Sequence, residues 1–420
     1  MKLKQLISSY KKNEDAKGLT ETFLSLTILQ FASYVFPLFT IPYLAHVIGL
    51  DKMGDIAFAA AVVVYFQTVV DWGFNYSAAR DVARNKNNLQ EVSRIYSNVM
   101  TAKLSLTVIC AVIFAILVFT VPAFSEKKLL MFATYLYIPC GLLIQEWLFQ
   151  GLEKMRYFTI LNLILKCLFT AAIFIFIREK SDYILQPLLN ACGNFAVGIA
   201  SIVIIRKKLN IKYIRPNTKS ILEAIKGSTD VFINQLMPNL YNSFSVMLLG
   251  FFGGSVANGK LDGGTKFVNL CNQMMSVVTR TFFPFLSRNI DKHRIYAKWN
   301  IIISSVISVL LFAFAPLIVD IFLTEEFVDS ILVLRIMAIS VLFLTLSSIY
   351  GTNYLIVQNK EKILRKITII SSLIGFSMSV PMVYYFGYIG AAITITLTRG
   401  ILGVASMIVV LKIKKQKQLA

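Results

Sequence analysis

Apolar residues fill this chain in long runs, separated by short clusters of charge. A helix needs roughly 20 apolar residues to cross a bilayer. Runs of that order predict twelve helical spans, at about 19–48, 54–78, 95–121, 129–151, 157–177, 183–205, 228–253, 262–286, 299–323, 331–357, 363–386 and 388–411. The stretch Phe36 to Arg84 shows the pattern: the end of one span, a turn at Gly49 to Gly54, then a second span with a basic exit at Arg80 and Arg84. That second span carries Gln67, Asp71 and Asn75 four residues apart, a spacing that stacks them on one helix face. Lipid would leave an acid and two amides unsatisfied, so the face is expected to point at protein or water. The seventh span, rich in Asn and Gln, and the eighth, with Lys266 and Arg280, carry the weakest apolar signal. Ahead of the first span, Leu3, Leu6, Ile7 and Tyr10 form an apolar face against lysines, as in a helix lying on a membrane surface.

Composition agrees with the pattern. The chain is 56% apolar and 15% charged with a mean hydropathy of +0.68, which describes an all-α polytopic membrane protein of about twelve transmembrane helices. A net charge of +20 would suggest nucleic acid in a soluble protein, but here the basic residues lie between the apolar runs. With both termini in the cytoplasm, the outside loops hold only Lys52, Lys127, Lys128, Arg178, Lys180 and Lys260 of the 42 Lys and Arg. Another six lie within spans and all the others fall inside, which is the positive-inside bias. The layout is a cytoplasmic amphipathic N-terminus (1–18), a six-span bundle (19–205), a basic cytoplasmic linker (206–227), a second six-span bundle (228–411) and a basic cytoplasmic tail (412–420). The five cysteines fall in apolar runs without metal or disulfide spacing and read as core thiols. His46 and His293 read as interfacial residues, and no metal site or nucleic-acid partner is expected.

Polar residues inside the spans carry the functional signal. Lys266, Asn269, Gln273, Ser276 and Arg280 follow steps of three and four along the eighth span, one continuous face. Either this face lines an aqueous pathway, or Lys266 and Arg280 snorkel to opposite interfaces while the amides join helices. The fifth span stacks Asn162, Lys166 and Thr170, the sixth Gln186, Asn190 and Asn194, and the twelfth places Thr394, Thr398 and Arg399 near its centre. Lys166 and Arg399 are expected to meet either an anion or a buried acid such as Glu146 or Asp71; Lys103 and Arg335, nearer span ends, read as structural. Six intramembrane cations against the acids Asp71 and Glu146 would draw an anion into a shared cavity. Lysine and arginine suit phosphate, while amides, hydroxyls and aromatics suit sugar rings. Asp71 is a candidate to bind a coupling ion, or else to form a fixed salt bridge with Arg280 or Arg80. Gly49 and Gly54 recur 205 residues later as Gly254 and Gly259, each pair in the turn after the first span of its half. Together with the six-plus-six count, the pairs favour a transporter built from two related bundles with a site between them.

Longer blocks resemble a known family. PLFTIPYLAHVIGLDKMGDIAFA with DWGFNYSAARDVAR, IQEWLFQGLEKMRYFTILN, NLYNSFSVMLLGFFGG and FFPFLSR resemble Wzx-type polysaccharide and O-antigen flippases, of the multidrug/oligosaccharidyl-lipid/polysaccharide exporter superfamily. The resemblance implies two six-span bundles around a central cavity in the bacterial inner membrane. It also implies translocation of undecaprenyl-pyrophosphate-linked oligosaccharide repeat units by alternating access coupled to a proton or sodium ion. No other cofactor is expected; the partners are the lipid-linked oligosaccharide, membrane lipids, and a polymerase and chain-length regulator of the same pathway. On this reading Arg80, Arg280, Lys266, Lys166, Arg399, Gln273 and Asn269 contact substrate, and Asp71 and Glu146 serve ion coupling. No GxxxxGK[ST] pattern supports direct use of ATP. The alternative is a polytopic polysaccharide polymerase or lipid-sugar glycosyltransferase, which would present its acids or arginines in a large external loop, and the outside loops here are short. A multidrug exporter would carry an acidic cavity, and a structural assembly protein would not need aligned charges inside its spans.

Overall fold

A computed structural model describes the backbone of residues 2–419 and the side chains of 36–416 other than position 284. The surface helix expected over 1–18 has its side chains outside that range. The described chain is all-α, with no strand. Among the described residues, eight stretches are long and apolar enough to cross a membrane. Two of them are each broken at a glycine held at positive φ, Phe36–Arg84 at Gly49 and Glu361–Gln416 at Gly387, and so supply two passes apiece. Two more passes fail that test: Thr218–Asn239, too polar, is continued by the apolar but short Asn242–Phe252, and Gly254–Arg288 is too polar. Among the described residues twelve passes result, and the two that miss the length-and-composition test are the seventh and eighth.

The helix Leu89–Thr120 shows why the fold needs lipid. Leu104, Val108, Val112 and Ile116 form a stripe at steps of four, each more than half exposed. Its other side buries Ala102, Lys103, Thr107, Cys110, Phe114 and Val118. An apolar stripe outside and a lysine inside reverse the soluble pattern, and only a bilayer makes the outer face stable.

The chain clusters into two compact units. One comprises Met1–Thr40, Phe66–Arg178 and Ile184–Ile233; the other comprises Ile41–Tyr65, Glu179–Tyr183 and Asn234–Ala420. The first unit's core gathers Phe74, Val82, Tyr96, Trp147, Phe149, Met155 and Ile205. The second has a core around Tyr296, Ile349, Tyr350, Tyr354, Leu355 and Val410. His293 is not interfacial: it is 1% exposed and packs edge-on against Tyr354. Its Nε2 lies 3.0 Å from the Ile349 carbonyl, within the π-helix Ser347–Ile356, and its Nδ1 lies 3.2 Å from Lys414 Nζ. Of the cysteines, Cys110 is buried, whereas Cys167 and Cys192 are exposed rather than in a core.

Within the second unit, the two glycine pairs meet. Gly49 and Gly254 both adopt φ of 74°, a left-handed geometry that favours glycine. Gly54 and Gly259 instead let backbones touch. A Cβ on Gly54 would lie 1.8 Å from the Ser255 carbonyl oxygen, and one on Gly259 would lie 2.2 Å from the Leu50 carbonyl oxygen. The repeated motif is therefore a repeated conformation, and its two copies pack on each other. Side chains fasten the first turn. Leu50 N–H donates to Glu326 at 3.0 Å, Lys180 pairs with Asp51 at 2.7 Å, and Ser255 donates to Asp55.

Replacing Gly54 or Gly259 by alanine forces backbone against Cβ with no flexible side chain to yield. Each is expected to cost about 1–3 kcal/mol or more, read as a lower Tm of the purified protein. Gly227→Ala, where a Cβ meets nothing within 4 Å, is expected to leave Tm unchanged or raised.

Candidate functional site

The second pass ends its first helix at Asp71, and the next helix starts at Phe74. Between them Trp72 and Gly73 have φ of 39° and 75°. A left-handed tryptophan is uncommon and persists only where its surroundings hold it. Here the indole stacks on Phe232 with centroids 4.2 Å apart and planes 2° from parallel, and its Nε1 donates to the Ile225 carbonyl at 3.1 Å. Gly73 is needed for room as well as for φ, since a Cβ there would lie 2.7 Å from Val231 Cβ. One turn on, the Ser77 and Ser228 hydroxyls share a hydrogen bond of 2.6 Å.

Asp71 immediately precedes this break. Its partner is Lys103, at 2.8 Å, with the lysine side chain 5% and the aspartate 25% exposed. Neither Arg80 nor Arg280 takes that place, and Lys103, read from sequence as a span-end residue, is the buried half of the pair. Gln67, Asp71 and Asn75 line one cavity of about 120 Å³ together with Lys103, Tyr137, Glu146 and Asn194, so the predicted polar stripe does face the interior of the unit. Tyr137 shares this lining with Gln67 and Asn194 and with the carboxylates of Asp71 and Glu146.

Tyr137 and Asn194 also line a neighbouring cavity of about 270 Å³, with Asn162, Lys166, Thr170 and Asn190. The stripe expected on the fifth span and most of that on the sixth thus converge there. Lys166 is half-buried and feels the Glu146 carboxylate. The interior of this unit therefore sets two ammonium groups against two carboxylates.

Arg80 lies at a third cavity, of about 290 Å³, whose charged residues are Arg80, Asp81, Glu91, Arg94 and Glu223. Each arginine is matched locally, Arg80 by Asp81 at 3.1 Å and Arg94 by Glu91 at 3.0 Å.

The second unit differs. Lys266 pairs with Asp262 at 2.5 Å, one helical turn away. Asn269 and Ser276 are half-buried, Gln273 and Arg280 are exposed, and all share one stripe of Gly254–Arg288; Val268, Met275 and Leu286 are buried away from it. Arg280 forms no ion pair among the described residues. Arg399 is 6% exposed and is held by neutral groups, donating to Ser340 Oγ at 3.0 Å and Asn242 Oδ1 at 3.2 Å, with the Tyr241 hydroxyl also bonded to it. Neither Glu146 nor Asp71 partners it. Sequence reasoning missed Tyr137, Ser340 and Asn242. A tyrosine or serine in a span has no periodic signature when it acts alone, and only Asn242's place in an Asn-rich pass hinted at a role.

Residues 19–290 match the family described as polysaccharide biosynthesis protein, and the chain belongs to that family. Two curated relatives share the name "Putative O-antigen transporter". The one from Escherichia coli (strain K12) is 25% identical over 92% of this chain and 95% of its own length, and the one from Shigella dysenteriae is 28% identical over 90% and 97%. Among solved structures, an inward-facing multidrug resistance MATE family transporter of the MOP superfamily aligns with a TM-score of 0.64 at 14% identity, covering 90% of this chain and 96% of that one. A MATE transporter of Vibrio cholerae gives 0.62 at 16% identity, covering 96% and 97%. The chain is thus a multi-pass membrane protein with the MATE-type transporter fold, twelve helices in two bundles.

Removing one member of a buried ion pair strands the other. Asp71→Asn is expected to destabilise the protein by about 2–3 kcal/mol, somewhat less than a fully enclosed pair because Asp71 keeps some exposure. The double variant Asp71→Asn, Lys103→Met should recover part of that loss, as measured by thermal unfolding in detergent.

Proposed function

We propose that the protein is a flippase that moves undecaprenyl-pyrophosphate-linked oligosaccharide repeat units from the cytoplasmic to the outer leaflet of the bacterial inner membrane, for O-antigen or other surface polysaccharide assembly. The observation that carries this reading is the polar interior of the first unit, where Asp71, Lys103, Glu146 and Lys166 and a set of amides line cavities inside a lipid-facing bundle. Charges in that setting persist for a ligand or ion pathway. The family and the names of the relatives support the choice of cargo.

In this mechanism the cycle alternates access to the two sides while the lipid tail stays in the bilayer. Arg280, exposed and without an ion pair among the described residues, is the first contact for the pyrophosphate, with Asn269 and Gln273 along the same stripe. Arg80, Lys166, Lys266 and Arg399 already have protein neighbours, so they contribute by exchanging those for cargo. Asp71 and Glu146 are the coupling carboxylates. A proton or sodium ion taken up by Asp71 neutralises it and loosens Lys103, so ion binding and the cavity wall change together. A polymerase and chain-length regulator would act on the delivered units. Nothing observed favours the polymerase or glycosyltransferase alternative.

The test is leaflet access of labelled undecaprenyl-pyrophosphate oligosaccharide in proteoliposomes, with and without a proton or sodium gradient. Wild-type protein is expected to move the label faster with one of the gradients, and Arg280→Ala to lose at least about tenfold in rate, roughly 1.4 kcal/mol, with insertion unchanged. New glycosidic bonds without movement would replace this reading by the enzymatic one. Full activity of Arg280→Ala would remove that residue from the site.

A further inference from the structure

The cavity of about 270 Å³ in the first unit has a lining unlike the others. Asn162, Asn190 and Asn194 supply amides, Thr40, Thr170 and Tyr137 supply hydroxyls, and Phe36 and Phe169 supply ring faces. Lys166 is the one charged residue in the lining among the described residues, and Glu146 lines the adjoining cavity.

Asn194 gives the second observation. It is 7% exposed, and its Nδ2 is buried with no hydrogen-bond partner. A buried amide donor left unpaired costs on the order of 1–3 kcal/mol, so an acceptor that reaches it is favoured. Asn162 Nδ2 spends one of its two N–H donors on the Phe158 carbonyl at 3.0 Å, which leaves its other N–H and its Oδ1 for the cavity. The lining therefore offers both donors and acceptors, with aromatic rings beside them. That combination suits a group that both donates and accepts on its edges and is apolar on its faces. The volume lies just below the roughly 300–1,000 Å³ of sites for drug-sized ligands, enough for a single sugar ring and too small for an oligosaccharide.

We infer that this cavity is a subsite for one pyranose ring, with the Asn194 amide donating to a ring substituent and Phe169 packing on a ring face. Calling the sugar part of the transported cargo rests on the flippase reading; binding of the ring does not.

The experiment is saturation-transfer NMR on the full chain in lipid nanodiscs, with D-glucose, D-galactose and N-acetyl-D-glucosamine as probes and acyclic D-sorbitol for comparison. At least one ring is expected to receive saturation well above sorbitol. Asn194→Leu and Phe169→Ala are each expected to weaken that binding about fivefold to tenfold, and Asn190→Ala serves as a third variant if either fails to fold. Gly227→Ala, in the lining of a different cavity, should leave binding unchanged. No transfer to any of the three sugars, equal transfer to sorbitol, equal binding by the variants, or displacement by inorganic pyrophosphate would each overturn the inference. A protein that binds the ring but fails to move lipid-linked sugar in proteoliposomes would keep the subsite and lose the flippase reading. Movement without ring binding would do the reverse.

Discussion

A charge enclosed in a bundle whose outer face is lipid must find its opposite inside the protein, and Lys103 is where that constraint bears hardest. The lysine is 4% exposed, on a helix whose other face is a row of exposed Leu, Val and Ile. Snorkelling is closed to it, and the energy of leaving it unpaired would be several kcal/mol. Asp71 meets the requirement, and doing so fixes the second pass against the third at the residue where the second pass breaks. The left-handed Trp72–Gly73 step then directs the chain into the helix from Phe74, and the stack on Phe232 ties that step to Thr218–Asn239. The ion pair, the strained step and the aromatic stack are consecutive links. Together they hold Gln67 and Asn75 on the wall that Tyr137 and Asn194 face from the other side.

The two units distribute charge differently, and this changes what a pyrophosphate-linked sugar would meet. A simple count of six intramembrane cations against two acids suggests a uniformly cationic interior. In the first unit that excess vanishes, because Lys103 has Asp71 and Lys166 has Glu146 nearby. In the second, Lys266 is matched by Asp262, whereas Arg399 is held by a serine, an asparagine and a tyrosine, and Arg280 stands exposed. Neutral hydroxylated groups are therefore better suited to the first unit's interior and anionic groups to the second unit's unmatched guanidinium.

Much of this was legible from spacing. Steps of four identified Gln67, Asp71 and Asn75 as one face, and Asn162, Lys166 and Thr170 as another, and both line cavities. Helical periodicity works here because polar residues against an apolar background cannot be placed at random. What spacing cannot supply is the neighbour across the bundle. Lys103 is 32 residues from Asp71, and Arg399 is 59 from Ser340 and 157 from Asn242, so only the packing of helices reveals those bonds. The φ of Trp72 was hidden for a different reason. Nothing in tryptophan's own preferences predicts it, and tertiary contacts from Ile225 and Phe232 impose it. His293 shows the same limit: its sequence context was polar and basic, yet tertiary packing encloses it among tyrosines.

The glycine pairs show how a repeated scaffold can carry unrepeated chemistry. Gly49 and Gly254 share a conformation, and Gly54 and Gly259 share a function, which is to let one turn lie on the other at backbone distance. Such contact tolerates no side chain, so a glycine at each position is a geometric requirement of the interface itself. The polar residues along the passes face no such requirement, because a buried polar group needs a partner but not a particular one. Asp71 can be matched by a lysine and Arg399 by neutral groups without disturbing the turns. The fold therefore holds its symmetry where backbone meets backbone, and is free to depart from it along the cavity walls, where cargo and ion would have to be told apart.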